Sequence, residues 1–130
     1  MNPLSLIEYL DTKNKTICLP MVVNKKQPLI FKPWRPGKKM VIGHYGISVP
    51  DNYQTLIPDL IICPLLAYDS KGMRLGYGGG FYDRTIKYLR RNKQVKYIGL
   101  AFSGQKSYHD LPSEVHDVPL DAVLTETGID

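Results

Sequence analysis

Residues Arg74–Asp83, RLGYGGGFYD, set four glycines and three aromatic rings between an arginine and an aspartate. Ordered glycine costs conformational entropy, so such a cluster needs a reason. One reason is chemical. Gly76, Gly78, Gly79 and Gly80 let the chain adopt positive φ and turn successive N–H groups toward one anion. Arg74 carries the planar fork that holds a phosphate through two bonds. At the entrance of a helix such a loop gains unpaired amides and the positive end of a dipole. The spacing matches neither the Walker pattern, which needs Gly-Lys-Ser/Thr, nor the dinucleotide fingerprint. A tight strand-to-helix corner packed over aromatic rings also accounts for these residues, but the placement favours a phosphate-binding loop.

Asp83 has two readings. At a helix start an aspartate serves as an N-cap or a dipole partner. After a phosphate loop it can also hold Mg²⁺, which takes one or two carboxylates beside phosphate oxygens and water. A second carboxylate would come from Asp121, just before the last predicted strand, or from Asp117, and spacing does not choose between them. His109 and His116 lack the further ligands that zinc needs, and His44 is a lone loop residue. No Ser-His-Asp or Cys-His arrangement is visible. Trp34, in FKPWRPG, is either core or a platform on which a flat heterocycle stacks.

Several elements must position these residues. The apolar, β-branched run DLIIC predicts a strand over Leu60–Cys63, covered on both faces as in a parallel sheet. The connection from Pro64 to Tyr82 exceeds the usual ~2–6 residues, and it leaves the carboxyl end of a strand, where open α/β sheets bind ligands. DRTIKYLRR predicts a helix with Tyr82, Ile86 and Leu89 on one face. Asp83 opens it, and Lys87, Arg90 and Arg91 close it, as the dipole favours. YIGLAF then supplies a strand over Tyr97–Phe102, completing a βαβ unit, and LDAVLTE supplies a last strand at Ala122–Thr125. Toward the N-terminus, a short helix follows Pro3, and TICLPMVV and LIFK are strands, with Pro20 marking an edge, bulge or end. PWRPGKK is a loop, and residues 40–58, broken by Gly43, Gly46, Pro50 and Pro58, receive no regular element. The expected fold is one α/β domain over residues 1–130 with a largely parallel sheet.

Composition narrows the partners. Hydrophobic residues at 43% and charged residues at 22% exclude a disordered chain. The longest apolar run, Leu60–Ala67, is far short of the ~20 residues of a membrane span, and no secretory leader is visible. Cys18 and Cys63 sit in apolar runs and read as buried free thiols, so the expected compartment is the reducing cytoplasm. The net charge of +5 suits an anionic ligand such as a nucleotide or a polyglutamate. A nucleic-acid role finds no recognition-helix or RNP-type pattern.

From about Ile17 to Ile129 the sequence resembles the 5-formyltetrahydrofolate cyclo-ligase family. ICLPMVV is similar to its strand ending in Leu-Pro, and FKPWRPG to its aromatic-Pro-Gly loop. DLIICPLLAYDSKGMRLGYGGGFYDR resembles its signature segment, and YIGLAFSGQ and LPSEVHDVPLDAVLTETG resemble its closing strands. The resemblance implies a three-layer, Rossmann-like α/β sandwich. It implies an enzyme that uses ATP and Mg²⁺ to convert 5-formyltetrahydrofolate to 5,10-methenyltetrahydrofolate. The formyl oxygen would attack the γ-phosphate, and a folate nitrogen would then close the ring as phosphate leaves. By position, Arg74, Leu75, Gly76, Tyr77, Gly78, Gly79, Gly80, Phe81 and Tyr82 would line the ATP phosphates, with Arg74 and Tyr82 catalytic. Asp83 and Asp121 would hold Mg²⁺. Trp34, Tyr77, Gly78, Gly79, Gly80 and Tyr82 would border the folate. Two departures stand out. The family carries an N-terminal segment ahead of ICLPMVV, whose helix reaches the nucleotide and whose glutamate faces the folate; only LSLIEYLDTKNK answers to it here, so the expected fold is N-terminally truncated. A second chain, or self-association, would then cover the bared face. The family also often has an acidic residue where Val49 stands.

Overall fold

A computed structural model describes residues 1–130 and divides into two compact units, Asn2–Pro58 on one side and Met1 with Asp59–Asp130 on the other.

In the first unit, helix α1 (Leu4–Thr12) follows Pro3 and buries no residue. Strands β1 (Cys18–Met21) and β2 (Ile30–Pro33) pair antiparallel, with Pro20 opposite Phe31. This ribbon has two strands only, so Pro20 sits where its missing N–H breaks no ladder in a wider sheet. Residues 40–58, expected to be irregular, contain a hairpin: β3 (Met40–Ile42) pairs antiparallel with β4 (Ser48–Pro50). Strands of three residues are too short for periodicity to reveal. Leu29, Phe31 and Val49 form the buried apolar set. Val49 lines a cavity of about 360 Å³ with Val41, Gly43, His44 and Tyr53, so the departure from the family pattern falls in a cavity wall.

The second unit holds β5 (Leu60–Pro64), β6 (Ala67–Tyr68), β7 (Arg74–Leu75), α2 (Phe81–Leu89), β8 (Lys96–Leu100), β9 (Ala122–Thr125) and β10 (Gly128–Ile129). Its four-stranded sheet runs β10-β9-β8-β5, with β5 parallel to β8, β8 parallel to β9, and β10 antiparallel at one edge. The βαβ unit is thus present. β5 is an edge strand, and it alternates, burying Ile61 and Cys63 while Leu60 is exposed. It is not covered on both faces. Helix α2 buries Thr85 and Ile86, and Tyr82 and Leu89 are half-buried.

The architecture is α/β with a mixed sheet and two helices. The three-layer, Rossmann-like description does not follow. Residues 101–121, between β8 and β9, form one 3₁₀ turn (Ser103–Gln105) and no α-helix, because Pro112 and Pro119 interrupt a stretch without helical period. No helix is long and apolar enough to cross a membrane.

The long connection before α2 is partly ordered as the antiparallel ribbon β6–β7. Buried Asp69 organises it: Oδ1 accepts from the Lys71 and Met73 amides at 2.9 and 3.0 Å, and Oδ2 from Leu111 N at 2.9 Å. Burial pushes this carboxyl up, but the three amide donors outweigh it and hold it below the usual aspartate range. Asp69→Asn should therefore cost roughly 1–3 kcal/mol at neutral pH. A folded-state pKa below the unfolded value means that this stabilisation is present above about pH 4 and is lost as pH falls through the folded value. Urea unfolding of both proteins at pH 7 and pH 3 should show the gap narrowing in acid.

Both cysteines are free, Cys63 buried and Cys18 half-buried. Burial pushes the Cys63 thiol up to about 11, against a smaller downward pull from Arg74. Roughly one Cys63 thiol in a thousand is then ionised at pH 8. In a thiol-labelling time course, Cys63 should react only after denaturant is added.

Candidate functional site

The glycine loop joins β7 to α2. Gly80 is the helix N-cap in the left-handed region (φ 66°, ψ 14°), and no side chain caps the helix. The amides of the first turn therefore have no partner within the helix. Asp83 is not the N-cap; it lies in the first turn. Two other glycines are required by close approach. A Cβ on Gly79 would lie 2.8 Å from the Phe81 ring, and one on Gly76 would collide with Arg74 Nη1.

Beneath the loop lies a buried cluster. The Arg74 side chain is 8% exposed. Its Nε donates to the Tyr97 hydroxyl at 2.6 Å, and Nη2 stands 3.7 Å from Asp83 Oδ2. Its guanidinium carbon lies 5.7 and 5.8 Å from the ring centres of Tyr82 and Tyr97. Burial pushes the Tyr82 hydroxyl up to about 12 and raises Tyr97 as well, so both stay neutral at physiological pH. Tyr82 can donate a hydrogen bond but does not supply a phenolate. Asp83 Oδ1 accepts from Val118 N at 3.3 Å.

Of the site residues expected from sequence, Arg74, Gly76–Gly80, Phe81, Tyr82 and Asp83 come together around this loop. Leu75 and Tyr77 are exposed beside them. Asp121 is held elsewhere, at the C-terminal end of α2. Its Oδ2 pairs with Arg90 at 2.9 Å and accepts from Tyr97 N at 2.8 Å. It also lines a cavity of about 300 Å³ with Asp69, Lys71, Lys106 and Asp130. The rival Asp117 closes a turn by accepting from Glu114 N. No group of three or more His, Cys, Asp or Glu residues is close enough to cage a metal. Trp34, in the other unit, is half-buried, and its Nε1 donates to Lys38 O at 3.2 Å, which closes its own loop.

Sequence reasoning missed Tyr97, Cys63 and Arg84. A tyrosine inside a buried apolar strand must place its hydroxyl, so Tyr97 was findable in principle. Arg84 was signalled by its place in the first helical turn, where the dipole opposes a positive charge.

Comparison with known proteins shows the family to which the chain belongs. The 5-formyltetrahydrofolate cyclo-ligase family model matches residues 2–126, and the chain belongs to that family. It is 40% identical to the 5-formyltetrahydrofolate cyclo-ligase of Haemophilus influenzae over 126 residues, covering 92% of this chain and 66% of that protein. It is 35% identical to the Escherichia coli cyclo-ligase over 130 residues, covering 95% and 70%. The NMR structure of Aquifex aeolicus 5,10-methenyltetrahydrofolate synthetase superposes with a TM-score of 0.74 at 28% identity, covering 99% of this chain and 64% of that one. The chain thus spans about two thirds of the length of these relatives.

Arg74→Met would leave Asp83 without its cation and the Tyr97 hydroxyl without its donor. The expected loss is roughly 3 kcal/mol of unfolding free energy. Tyr97→Phe removes one hydroxyl and should cost about 1 kcal/mol. Urea denaturation of both variants checks that order.

Proposed function

We propose that the chain acts as one family domain in the cytoplasm, converting 5-formyltetrahydrofolate and ATP to 5,10-methenyltetrahydrofolate, ADP and phosphate. The supporting observation is the uncapped N-terminus of α2, opened by left-handed Gly80 within a chain that matches the family from residue 2 to residue 126. Arg74–Tyr82 line the nucleotide phosphates, where backbone amides offset charge on the transferring group without reorganising. Neutral Tyr82 orients the folate by donating a hydrogen bond, beside Gly78, Gly79, Gly80 and Tyr77.

Mg²⁺, when bound, neutralises charge on the phosphate oxygens. Asp83, in the first turn beside the loop, would serve as a ligand only by turning from Arg74 Nη2 and Val118 N. Asp121 serves as second ligand only by giving up Arg90. A second chain, or a second copy, would lie over the exposed Leu66, Leu75, Tyr77 and Phe102.

The commitment of Asp121 to Arg90 favours one other function, a non-catalytic protein that holds a nucleotide or folate. Calorimetric titration with Mg-ATP and an absorbance assay for the methenyl product separate the two. Turnover is the expected result. ATP binding without turnover supports the non-catalytic alternative, and no binding at millimolar ATP removes the site assignment.

A further inference from the structure

We propose that Tyr97 is a positioning residue for the glycine loop: its hydroxyl holds Arg74 Nε inside the fold and so aims Nη1 at the loop, where a phosphate oxygen would accept from it. This rests on the loop being a phosphate site with Arg74 among its contacts.

The guanidinium makes one direct hydrogen bond, from Nε to the Tyr97 hydroxyl at 2.6 Å. Nη2 stands 3.7 Å from Asp83 Oδ2, an ion pair beyond hydrogen-bond reach. One edge of the rigid fork, Nε with Nη2, thus faces protein groups, and Nη1 is left over. Nη1 lies against Gly76, where a Cβ would collide with it, so the loop keeps that space open. It is not sealed in, because the one enclosed side-chain nitrogen or oxygen without a partner is Arg84 Nη1. The rings of Tyr82 and Tyr97 lie 5.7 and 5.8 Å from the guanidinium carbon. A ring face attracts a cation without choosing which of its edges points outward. The Tyr97 hydroxyl makes that choice.

Tyr97 is itself fixed. It is fully buried in β8, the strand between β5 and β9. Asp121 pins its backbone twice: Oδ2 accepts from Tyr97 N at 2.8 Å, and Asp121 N donates to Tyr97 O at 2.7 Å. Burial keeps the hydroxyl neutral, so it accepts from Nε without adding charge. Asp83 would leave Arg74 in order to serve a metal, and Tyr97 would then be the direct partner that still orients the guanidinium.

The test starts without ligand. In proton–nitrogen NMR spectra of the full chain, the Arg74 Nε–H should exchange slowly with water and should lose that protection in Tyr97→Phe. Fast exchange in the wild type overturns the inference. Calorimetric titration with ATP, inorganic pyrophosphate and adenosine follows. Tyr97→Phe should weaken ATP and pyrophosphate about tenfold and leave adenosine unchanged. Arg74→Lys, which keeps the charge but lacks the fork, should weaken both anions too, and adding Tyr97→Phe to it should cost no further affinity. A hydroxyl that only stabilised the fold would weaken all three ligands alike, or would add its loss to that of Arg74→Lys; either result overturns the inference. Wild-type affinity for both anions in Tyr97→Phe also overturns it and leaves the proposed function standing. If the wild type binds neither anion, the phosphate reading fails and the inference fails with it.

Discussion

A guanidinium buried in a small α/β unit constrains everything around it. Removing an arginine from water is costly unless its donors and charge are matched. Arg74 finds its matches on other elements: Tyr97 from β8, and Asp83 and Tyr82 from α2, with the Cys63 thiol of β5 near enough to feel its charge. Those partners converge only if β5 and β8 lie side by side in parallel and α2 starts where it does. The loop over the cluster must also lack a side chain at Gly76, since Arg74 Nη1 occupies that space. The glycines are therefore partly a packing consequence of the arginine below them.

The ribbon β6–β7 delivers Arg74 to that position. Its turn is shaped by one carboxylate, Asp69, which collects two amides from the turn and a third from Leu111. A buried charge satisfied by backbone donors is rigid, because every donor is itself fixed by the chain. The loop that follows is thus anchored at one end by Asp69 and Arg74, and at the other by the α2 residues Thr85 and Ile86. The position of the loop's amides is thus set by these two anchors rather than by the glycines themselves.

The same geometry divides the charged residues by task. Arg74 and Asp83 face one another beneath the loop, while Arg84 donates from Nη2 to Gly79 O within it. Asp121 belongs to a different local network, in which Arg90 joins it to the end of α2 and to Val95 O. Residues grouped by a shared motif can thus be separated by which element's end they occupy.

Much of this was legible in the chain itself. A strand falls at Ala122–Thr125 as expected, although β10 follows it as the last, and the β5–α2–β8 unit follows from a β-branched run, a 3.6-residue period and a second apolar run. Local chemistry suffices there, because burial on one face imposes a period on the residues. The passage of the glycine loop into a helix start was also legible, since glycine clusters and helix starts carry their properties locally. Other features were not. The hairpin of Met40–Ile42 with Ser48–Pro50 and the ribbon β6–β7 are held by cross-strand pairing in strands of two or three residues, too short to show a period. Two boundaries differ from the expected ones: β8 runs Lys96–Leu100 rather than to Phe102, and α2 runs Phe81–Leu89 rather than starting at Asp83. Above all, the inward turn of Arg74 onto Tyr97 and the commitment of Asp121 to Arg90 depend on residues 23 and 31 positions apart in sequence. A sequence states which charges exist; only the packed chain decides which of them are already neutralised and which remain to meet a ligand.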